Sequence, residues 1–235
     1  MSMSYIESEI ARIAAEYERR AREIPRDFYA WSREANLLAY THAMRTAIRL
    51  LSRASLFPLE GRRVADIGCG NGTWLLEFVQ WGANPADVAG IDLMRARIEQ
   101  ARLSLPRADL RVGSASALPW PDASFELVSQ SLVFMNMLDP AFKRAVAGEM
   151  LRILQPGGAI LWFDLRVNNP RNPQAHGIPA AEIRALFPGC RVTLAATVLA
   201  PPLARRIAKW SWLLAEALQE LPVLCTHYTG LIRKE

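Results

Sequence analysis

Three glycines at alternate positions follow an acid in the run Asp66-Ile67-Gly68-Cys69-Gly70-Asn71-Gly72. Glycine lets the backbone turn with positive φ and approach a ligand without a Cβ atom in the way. The apolar sequence before the run predicts a strand Val64–Ile67. The sequence after it predicts a helix that begins at Thr73 and directs free backbone N–H groups towards the turn. This arrangement indicates a binding loop for a nucleotide-type ligand.

A second acid, Asp92, ends the next predicted strand, Val88–Asp92. Its carboxylate can accept hydrogen bonds from both hydroxyls of a ribose, and the alternative is an acid that only caps a helix starting near Arg95. NAD would fit Asp92 equally well, but the dinucleotide fingerprint G-x-G-x-x-G needs a glycine where Thr73 stands. The sequence also lacks the Tyr-x-x-x-Lys pair of short-chain dehydrogenases and a G-K-S/T phosphate loop.

Strand and helix signals alternate from Arg62 to Leu165, which predicts a parallel sheet with helices on both faces. Two helices, 4–23 and 33–54, precede this region, as their apolar spacing indicates. The tail adds a short helix near 180–187, a strand Arg191–Leu199, a basic-to-apolar helix Leu203–Glu220 and a last strand Thr226–Arg233. We therefore predict an N-terminal helical lid at 1–55 and an α/β core at 56–235, with a helical insertion at 201–222.

Two further sequence motifs indicate a family resemblance. They are V-G-S-A-S-A-L-P-W-P-D-A-S-F-E-L-V at 112–128 and L-R-I-L-Q-P-G-G at 151–158. Together with the glycine loop they resemble, in consistent order, the motifs of class I S-adenosylmethionine-dependent methyltransferases, in particular the ubiquinone/menaquinone-type and small-molecule subgroup. The resemblance implies an α/β, Rossmann-like three-layer sandwich. Its seven-stranded sheet would be mostly parallel, with an antiparallel last strand.

The resemblance also implies S-adenosylmethionine as the cofactor and S-adenosylhomocysteine as the product. The implied cofactor contacts are Asp66, Gly68, Cys69 and Gly70 at the methionine end, Asp92 and Leu93 at the ribose, Ser114 and Ala115 at the adenine, and Gln130 in the pocket wall. Tyr29, beside Trp31, could close over the cofactor, although such a pair is more often core. The family usually has Asp at position 114, and Ser accepts a hydrogen bond without charge assistance. We therefore expect weaker cofactor binding unless Ser116 or a backbone group substitutes.

Methyl transfer needs an acceptor aligned with the sulfonium methyl group and shielded from water. Where the acceptor carries a proton, a base must remove it. Asp164 and Arg166 are candidates for the acceptor side because an apolar strand there becomes a polar loop bounded by Asn169-Pro170. The alternative is a surface ion pair. His176 is a further candidate base, and the alternative for a lone loop histidine is simple solvation.

Composition supports a single enzyme domain, since 235 residues that are 51% hydrophobic can bury a large core. The three cysteines and three histidines stand singly, so we expect neither disulfides nor a metal site. The net charge of +5 is dispersed, and the D/N-P-P-Y/F/W motif of nucleic-acid amino-methylating enzymes is missing after strand four. The amino terminus is charged, and no apolar run reaches the roughly 18 residues of a membrane span. We expect a cytoplasmic protein.

The expected function is transfer of a methyl group to O, N or C of a small-molecule acceptor. Three alternatives stay open: a lipid-linked acceptor, a nucleic-acid acceptor, and a cofactor-binding protein without catalysis. Basic residues beside Trp210 and Trp212 favour a membrane surface, whereas anionic lipid would repel Glu216 and Glu220. We therefore favour an insertion that caps the substrate cleft. The acceptor's identity and the oligomeric state are not predicted.

Overall fold

A seven-stranded sheet forms the centre of the protein. The computed structural model describes residues 3–25, 27–168 and 174–234. The strands are β1 Val64–Ile67, β2 Val88–Asp92, β3 Asp109–Val112, β4 Phe125–Ser131, β5 Leu154–Leu165, β6 Cys190–Leu199 and β7 Cys225–Lys234. Their order is β3-β2-β1-β4-β5-β7-β6. Only β7 runs antiparallel to its neighbours, so the predicted fold class, with its antiparallel last strand, is confirmed.

Helices cover both faces of the sheet. In the described ranges they are α1 Met3–Glu23, α2 Glu34–Arg53, α3 Thr73–Gln80, α4 Arg95–Ser104, α5 Pro140–Ile153, α6 Ala180–Leu186, α7 Pro201–Ile207 and α8 Trp212–Gln219. The start of α5 shows how the sequence sets these bounds. Asp139 accepts a hydrogen bond from the amide of Phe142 at 2.6 Å, and proline occupies the first helical position.

The core consists of two hydrophobic layers, one on each face of the sheet. Neighbouring strand residues point to opposite faces. Leu161 therefore packs in the cluster that contains Leu51 of α2 and Phe78 of α3, and Trp162 packs in the cluster that contains Phe187. Strands buried on both faces read as continuous apolar runs. This is why β1 and β5 were recognisable in the sequence.

The two N-terminal helices have different neighbours. Ala47 and Leu51 of α2 are fully buried against the sheet, in the same cluster as Val64. Ile13 of α1 packs in the opposite layer, with Phe142 among its cluster partners. A covering position over the sheet edge therefore belongs to α1, and α2 is part of the core layers. The division at 1–55 and 56–235 stays a prediction.

The insertion is not the single helix Leu203–Glu220 that the sequence predicted. The chain turns at 208–211 between α7 and α8, and the hydroxyl of Ser211 accepts a hydrogen bond from the amide of Leu214 at 3.2 Å, which starts the second helix. The inner side of this helix pair packs against Leu38 of α2 and Leu199 of β6. Both short helices contribute small residues to this packing: Ala204 from α7 and Ala215 from α8.

Candidate functional site

The glycine loop leaves β1 and turns against the end of β2. The amides of Gly68 and Cys69 donate hydrogen bonds to the carbonyl of Ile91 at 2.8 and 3.0 Å. Gly68 has a φ of 74°, and a Cβ atom there would lie 2.5 Å from the side chain of Val133. Glycine is therefore required both by the backbone conformation and by the close approach of the segment that follows β4.

The loop leads into α3 with its first amides uncapped. Gly72 stands at the N-cap in the left-handed conformation with φ 83°, and no side chain there caps the helix. Free N–H groups and the positive end of the helix dipole together favour an anionic group such as a carboxylate. The geometry thus keeps the feature that the sequence predicted for the methionine end of the ligand.

Asp92 connects the loop to the next strand. Its Oδ2 atom accepts a hydrogen bond from the amide of Gly70 at 2.9 Å, and its Oδ1 atom accepts one from the amide of Met94 at 2.8 Å. The side chain is only 7% exposed. Because an ionised carboxylate offers about four acceptor positions, two remain for other partners. The ribose contact stays a prediction. The structure adds that Asp92 also holds the glycine loop and the start of α4.

A cavity lies over the carboxyl ends of β1, β2 and β3. Five of the predicted cofactor residues line it, namely Gly68, Asp92, Leu93, Ser114 and Ala115. These residues come from three separate loops that the parallel sheet brings to one edge. The cavity also contains residues that sequence reasoning did not select: Ile13, Tyr17, Ile91, Gly113, Val133, Asn136, Met137 and Phe142.

Helix α1 closes the cavity through Tyr17. The Tyr17 hydroxyl accepts a hydrogen bond from Nδ2 of Asn136 at 3.1 Å, and the guanidinium of Arg97 lies 4.3 Å from the ring centroid. Burial raises the pKa of Tyr17, so the phenol is neutral. The only sequence signal for this role was the helical spacing of apolar residues in 4–23, which predicts a helix without its docking site.

A buried acid fastens α1 to the segment after β4. The carboxylate of Glu9 accepts hydrogen bonds from the amides of Leu138 at 2.7 Å and Asp139 at 3.3 Å. Arg12 bonds to Glu9 at 2.8 Å and donates to the carbonyl of Asn136 at 2.5 Å. The hydrogen bond from Arg12 lowers the pKa of Glu9 despite its burial. The lid position of α1 is thus fixed by charge-assisted contacts.

At the expected adenine end, Ser114 already has a partner. Its hydroxyl lies 2.8 Å from the hydroxyl of Ser116 and accepts a hydrogen bond from the Ser116 amide at 3.2 Å. Both hydroxyls are partly buried. Two neutral acceptors therefore occupy the region where the family usually has one carboxylate.

Three of the predicted cofactor residues do not line the cavity. Asp66 is 2% exposed, and burial raises its pKa to about 7 although Ser129 donates a hydrogen bond to it at 2.6 Å. Cys69 is 6% exposed, and burial raises its pKa. Gly70 lies in the loop and bonds to Asp92. Their contacts with the cofactor stay predictions.

Gln130 and Tyr29 also lie outside the lining. Gln130 is 1% exposed, and its Oε1 atom accepts a hydrogen bond from the amide of Val133 at 3.2 Å, so it supports the cavity wall from behind. Tyr29 is 57% exposed and bonds through its hydroxyl to Arg20 at 3.1 Å. Tyr17 of α1 is the aromatic residue in the lining, and a contact of Tyr29 with the cofactor stays a prediction.

Asp164 differs most from its expected environment. It is fully buried. Its Oδ2 atom accepts hydrogen bonds from the amides of Phe134 at 2.9 Å and Met135 at 3.3 Å, and its Oδ1 atom from Leu165 at 2.8 Å. Burial raises the pKa of Asp164 more than the three amide hydrogen bonds lower it, so that the pKa is about 7. Asp164 is therefore not part of a surface ion pair, because the segment after β4 folds over the end of β5, and its role as the base for the acceptor stays a prediction.

The other two acceptor-side candidates, Arg166 and His176, have contacts of their own. Arg166 donates to the carbonyl of Pro222 at 2.6 Å, and its guanidinium lies 5.1 Å from the ring of Tyr228. His176 is exposed, and its amide donates to the carbonyl of Met135 at 2.9 Å. Asn169-Pro170 lies outside the described residues. The roles of Arg166 and His176 stay predictions.

The remaining expectations concern membrane spans, metal ligands and the helical insertion. Within residues 3–25, 27–168 and 174–234, no helix is both long and apolar enough to cross a membrane. Over the same ranges, no three His, Cys, Asp or Glu side chains are grouped to hold a metal ion. Where the chain is described, the cavity lining includes no residue of the 201–222 insertion. The insertion therefore does not cap this cavity.

Residues 64–158 match the family described as methyltransferase domain. The chain is 39% identical over 113 residues to phthiotriol/phenolphthiotriol dimycocerosates methyltransferase 1 of Mycobacterium ulcerans (strain Agy99), which covers 47% of this chain and 40% of that protein. It is 35% identical over 101 residues to demethylmenaquinone methyltransferase of Renibacterium salmoninarum, with 43% and 40% covered. The chain thus spans about half the length, or less, of these curated relatives.

Solved structures show the same fold. A SAM-dependent methyltransferase from Archaeoglobus fulgidus aligns with a TM-score of 0.58 at 17% identity, covering 82% of this chain and 94% of that one. Geranyl diphosphate C-methyltransferase from Streptomyces coelicolor A3(2), solved with Mg²⁺, geranyl diphosphate and S-adenosyl-L-homocysteine, aligns with a TM-score of 0.59 at 16% identity, covering 82% and 77%. At such identities the likeness concerns the architecture.

Proposed function

We propose that the chain is a class I S-adenosylmethionine-dependent methyltransferase, as the family match of residues 64–158 supports, and that it transfers the sulfonium methyl group to O, N or C of a small-molecule or lipid-type acceptor. The observation that carries the proposal is the meeting of Gly68, Asp92 and Ser114 at one cavity. They follow three different strands, at the edge of the sheet where α/β proteins bind nucleotides. S-Adenosylmethionine is the cofactor that the matched domain implies.

In this proposal each part of the cavity binds one part of the cofactor. The free acceptor positions of Asp92 take the ribose hydroxyls, and the hydroxyls of Ser114 and Ser116 face the adenine amino group. The glycine loop and the uncapped start of α3 receive the methionine carboxylate. The described geometry supports these contacts because the polar groups named have acceptor or donor capacity left.

The lining supports an acceptor with apolar character. Around the polar cofactor residues the cavity is closed by Ile13, Val133, Met137 and Phe142. Such walls exclude water from the sulfonium and favour an apolar substrate. Relatives named for phthiotriol dimycocerosates and for demethylmenaquinone support a lipid-type acceptor for this chain. The sequence favoured a small-molecule acceptor, and the set of acceptors tested below separates the two classes.

Catalysis in this proposal depends mainly on alignment. The sulfonium is an activated methyl donor, so holding the acceptor in line with the methyl group accounts for most of the acceleration. Asp164 cannot remove a proton from an acceptor while its oxygens accept three backbone hydrogen bonds inside the protein. Of the three candidate catalytic residues, His176 is the exposed one, and it is the base to test where the acceptor is a hydroxyl.

The direct test supplies the protein with methyl-labelled S-adenosylmethionine and a set of acceptors in detergent: quinols, long-chain alcohols, short water-soluble phenols and amines. We expect S-adenosylhomocysteine to form with an apolar hydroxyl or ring-carbon acceptor, and the label to extract into organic solvent. Asp92→Ala is the control that should lose the activity. Cofactor binding without product from any acceptor would instead support a non-catalytic binding protein. Label recovered in added nucleic acid would instead identify a nucleic-acid acceptor.

A further inference from the structure

Exposed apolar side chains are concentrated in residues 203–223, here named the 203–223 segment. Of the thirteen large hydrophobic side chains exposed in the described part of the chain, six belong to it: Leu203, Trp210, Leu213, Leu214, Leu221 and Val223. Trp210, Leu213 and Val223 are 87%, 78% and 84% exposed. Scattered apolar residues are ordinary on a protein surface, but a concentration of this kind marks an interaction site.

The inner side of the segment is firmly packed, so the exposure is a property of the folded state. Ala204, Ala208 and Ala215 are buried in one cluster with Leu38 of α2 and Leu199 of β6. Ile207, Trp212 and Leu218 pack partly buried against the same cluster. The inner side of the two helices is thus occupied, and Trp210, Leu213 and Val223 remain on the outside.

Positive charge lies beside these apolar side chains. Arg205, Arg206 and Lys209 are all exposed on α7 and the turn that follows it, and the guanidinium of Arg205 lies 5.1 Å from the ring centroid of Phe28. Of the two acids on the segment, Glu216 forms an ion pair with Arg45 of α2 at 3.1 Å. Glu220 is exposed. Repulsion of anionic lipid is therefore expected from Glu220 alone, and the three cations outnumber this one negative charge.

We propose that the 203–223 segment docks the protein on the surface of an anionic phospholipid bilayer. Trp210, Leu213 and Val223 would enter the interface, and the three cations would contact the headgroups. Tryptophan and leucine beside lysine and arginine is the combination that interfacial binding requires. A two-fold contact with a second copy would instead place six like charges beside one apolar patch, so a lipid surface fits the charge better.

The position of the segment gives the docking a use. Strands β5 and β6 both run antiparallel to β7 and so run in the same direction. Helix α7 follows β6 directly. The segment therefore lies at the carboxyl edge of the sheet, and the cofactor cavity lies at the same edge. A bilayer bound there would lie along the edge at which a lipid-type acceptor must arrive. This use rests on the proposed function, whereas the docking itself does not.

Vesicle binding tests the docking. Wild-type protein is sedimented with vesicles of phosphatidylcholine alone and with vesicles that also contain phosphatidylglycerol. We expect binding to the anionic vesicles, and we expect it to weaken as salt is raised. Two double variants should each lower the partition coefficient by at least about tenfold. Trp210→Ser with Leu213→Ser removes apolar area from the interface. Arg206→Glu with Lys209→Glu removes two cations, each of which contributes roughly fivefold near an anionic surface.

Matched controls come from the last turn of α4 and from the loop between α4 and β3. Leu103 is 77% exposed and Arg107 is exposed, so Leu103→Ser and Arg107→Glu make the same kinds of change elsewhere and should bind vesicles like wild type. The docking is overturned by wild-type protein that binds neither vesicle, by controls that lose as much as the segment variants, or by a dimer that Leu213→Ser dissociates without any vesicle binding. S-Adenosylhomocysteine titrations of every variant separate this failure from failure of the proposed function.

Discussion

The carboxylate of Asp164, at the end of β5, accepts a hydrogen bond from the backbone amide of Phe134 at 2.9 Å. The same oxygen accepts a second one from Met135. The segment that it holds contributes Val133 and Asn136 to the cavity lining. Asp164 therefore shapes the cofactor cavity from behind, although its position at the end of an apolar strand suggested a catalytic acid.

Asp164→Asn should destabilise the protein and weaken cofactor binding together. An amide has one acceptor oxygen, so its NH₂ group would face at least one backbone N–H, a loss of about 1–3 kcal/mol. Thermal melting and titration with S-adenosylhomocysteine measure both effects. A general base would behave differently, with turnover falling about 10²–10⁴-fold at unchanged stability and affinity. Asp122→Asn, at an exposed acid paired with Arg152, is the control and should cost less than about 1 kcal/mol.

Asp92→Ala should weaken S-adenosylhomocysteine binding by about 1.5–3 kcal/mol, the range for hydrogen bonds to charged groups. Because Asp92 also receives the amides of Gly70 and Met94, the variant should melt lower as well. Calorimetry at a temperature where the variant is still folded isolates the binding term. Unchanged affinity in a variant that melts lower would reduce Asp92 to a structural acid.

Ser114→Asp, which restores the residue usual in the family, should tighten cofactor binding by up to about 1 kcal/mol, because charge-assisted hydrogen bonds are roughly twice as strong as neutral ones. The partner hydroxyl of Ser116 can donate to the new carboxylate. Ser116→Ala serves as the companion variant. If Ser116→Ala loses affinity and Ser114→Asp gains none, the adenine is already served by Ser116.

Stability should depend on pH through Asp66. Burial raises its pKa to about 7, against about 3.9 in an unfolded chain. Between those values the folded state binds more protons than the unfolded state, so this contribution is fully present below about pH 4 and is lost as pH rises through 7. Asp66→Asn should remove the loss, so wild-type protein should become less stable relative to the variant from pH 5 to 8.

The comparison with the variant is needed because His227 acts in the opposite sense. Burial lowers its pKa to about 4, so its contribution grows as pH rises towards about 6.5. Melting temperatures of both proteins across pH 5–8 give the difference directly. Parallel pH curves for the two proteins would show that Asp66 titrates with an ordinary pKa.

The sheet and its ligand edge were predictable because their signals are local. Apolar runs that contain Asp66 and Asp92 mark buried parallel strands, and the loop glycines Gly68, Gly70 and Gly72 have positive φ. The features that the sequence did not predict depend on contacts between distant segments. Spacing identified α1 as a helix, but only the tertiary structure brings Tyr17 to Asn136. The break between α7 and α8 carries no glycine or proline, and Ser211 is its only local signal.

The central claim is that the cavity beside Gly68 binds an S-adenosyl ligand. Calorimetric titration with S-adenosylhomocysteine and, separately, with NADH tests it, and Gly68→Ala provides the site-specific loss, because its Cβ atom would meet Val133 at 2.5 Å. We predict one S-adenosylhomocysteine bound per wild-type chain with affinity of micromolar class, at least about tenfold weaker binding by Gly68→Ala, and no heat from NADH. Saturable NADH binding with no response to S-adenosylhomocysteine would contradict the account.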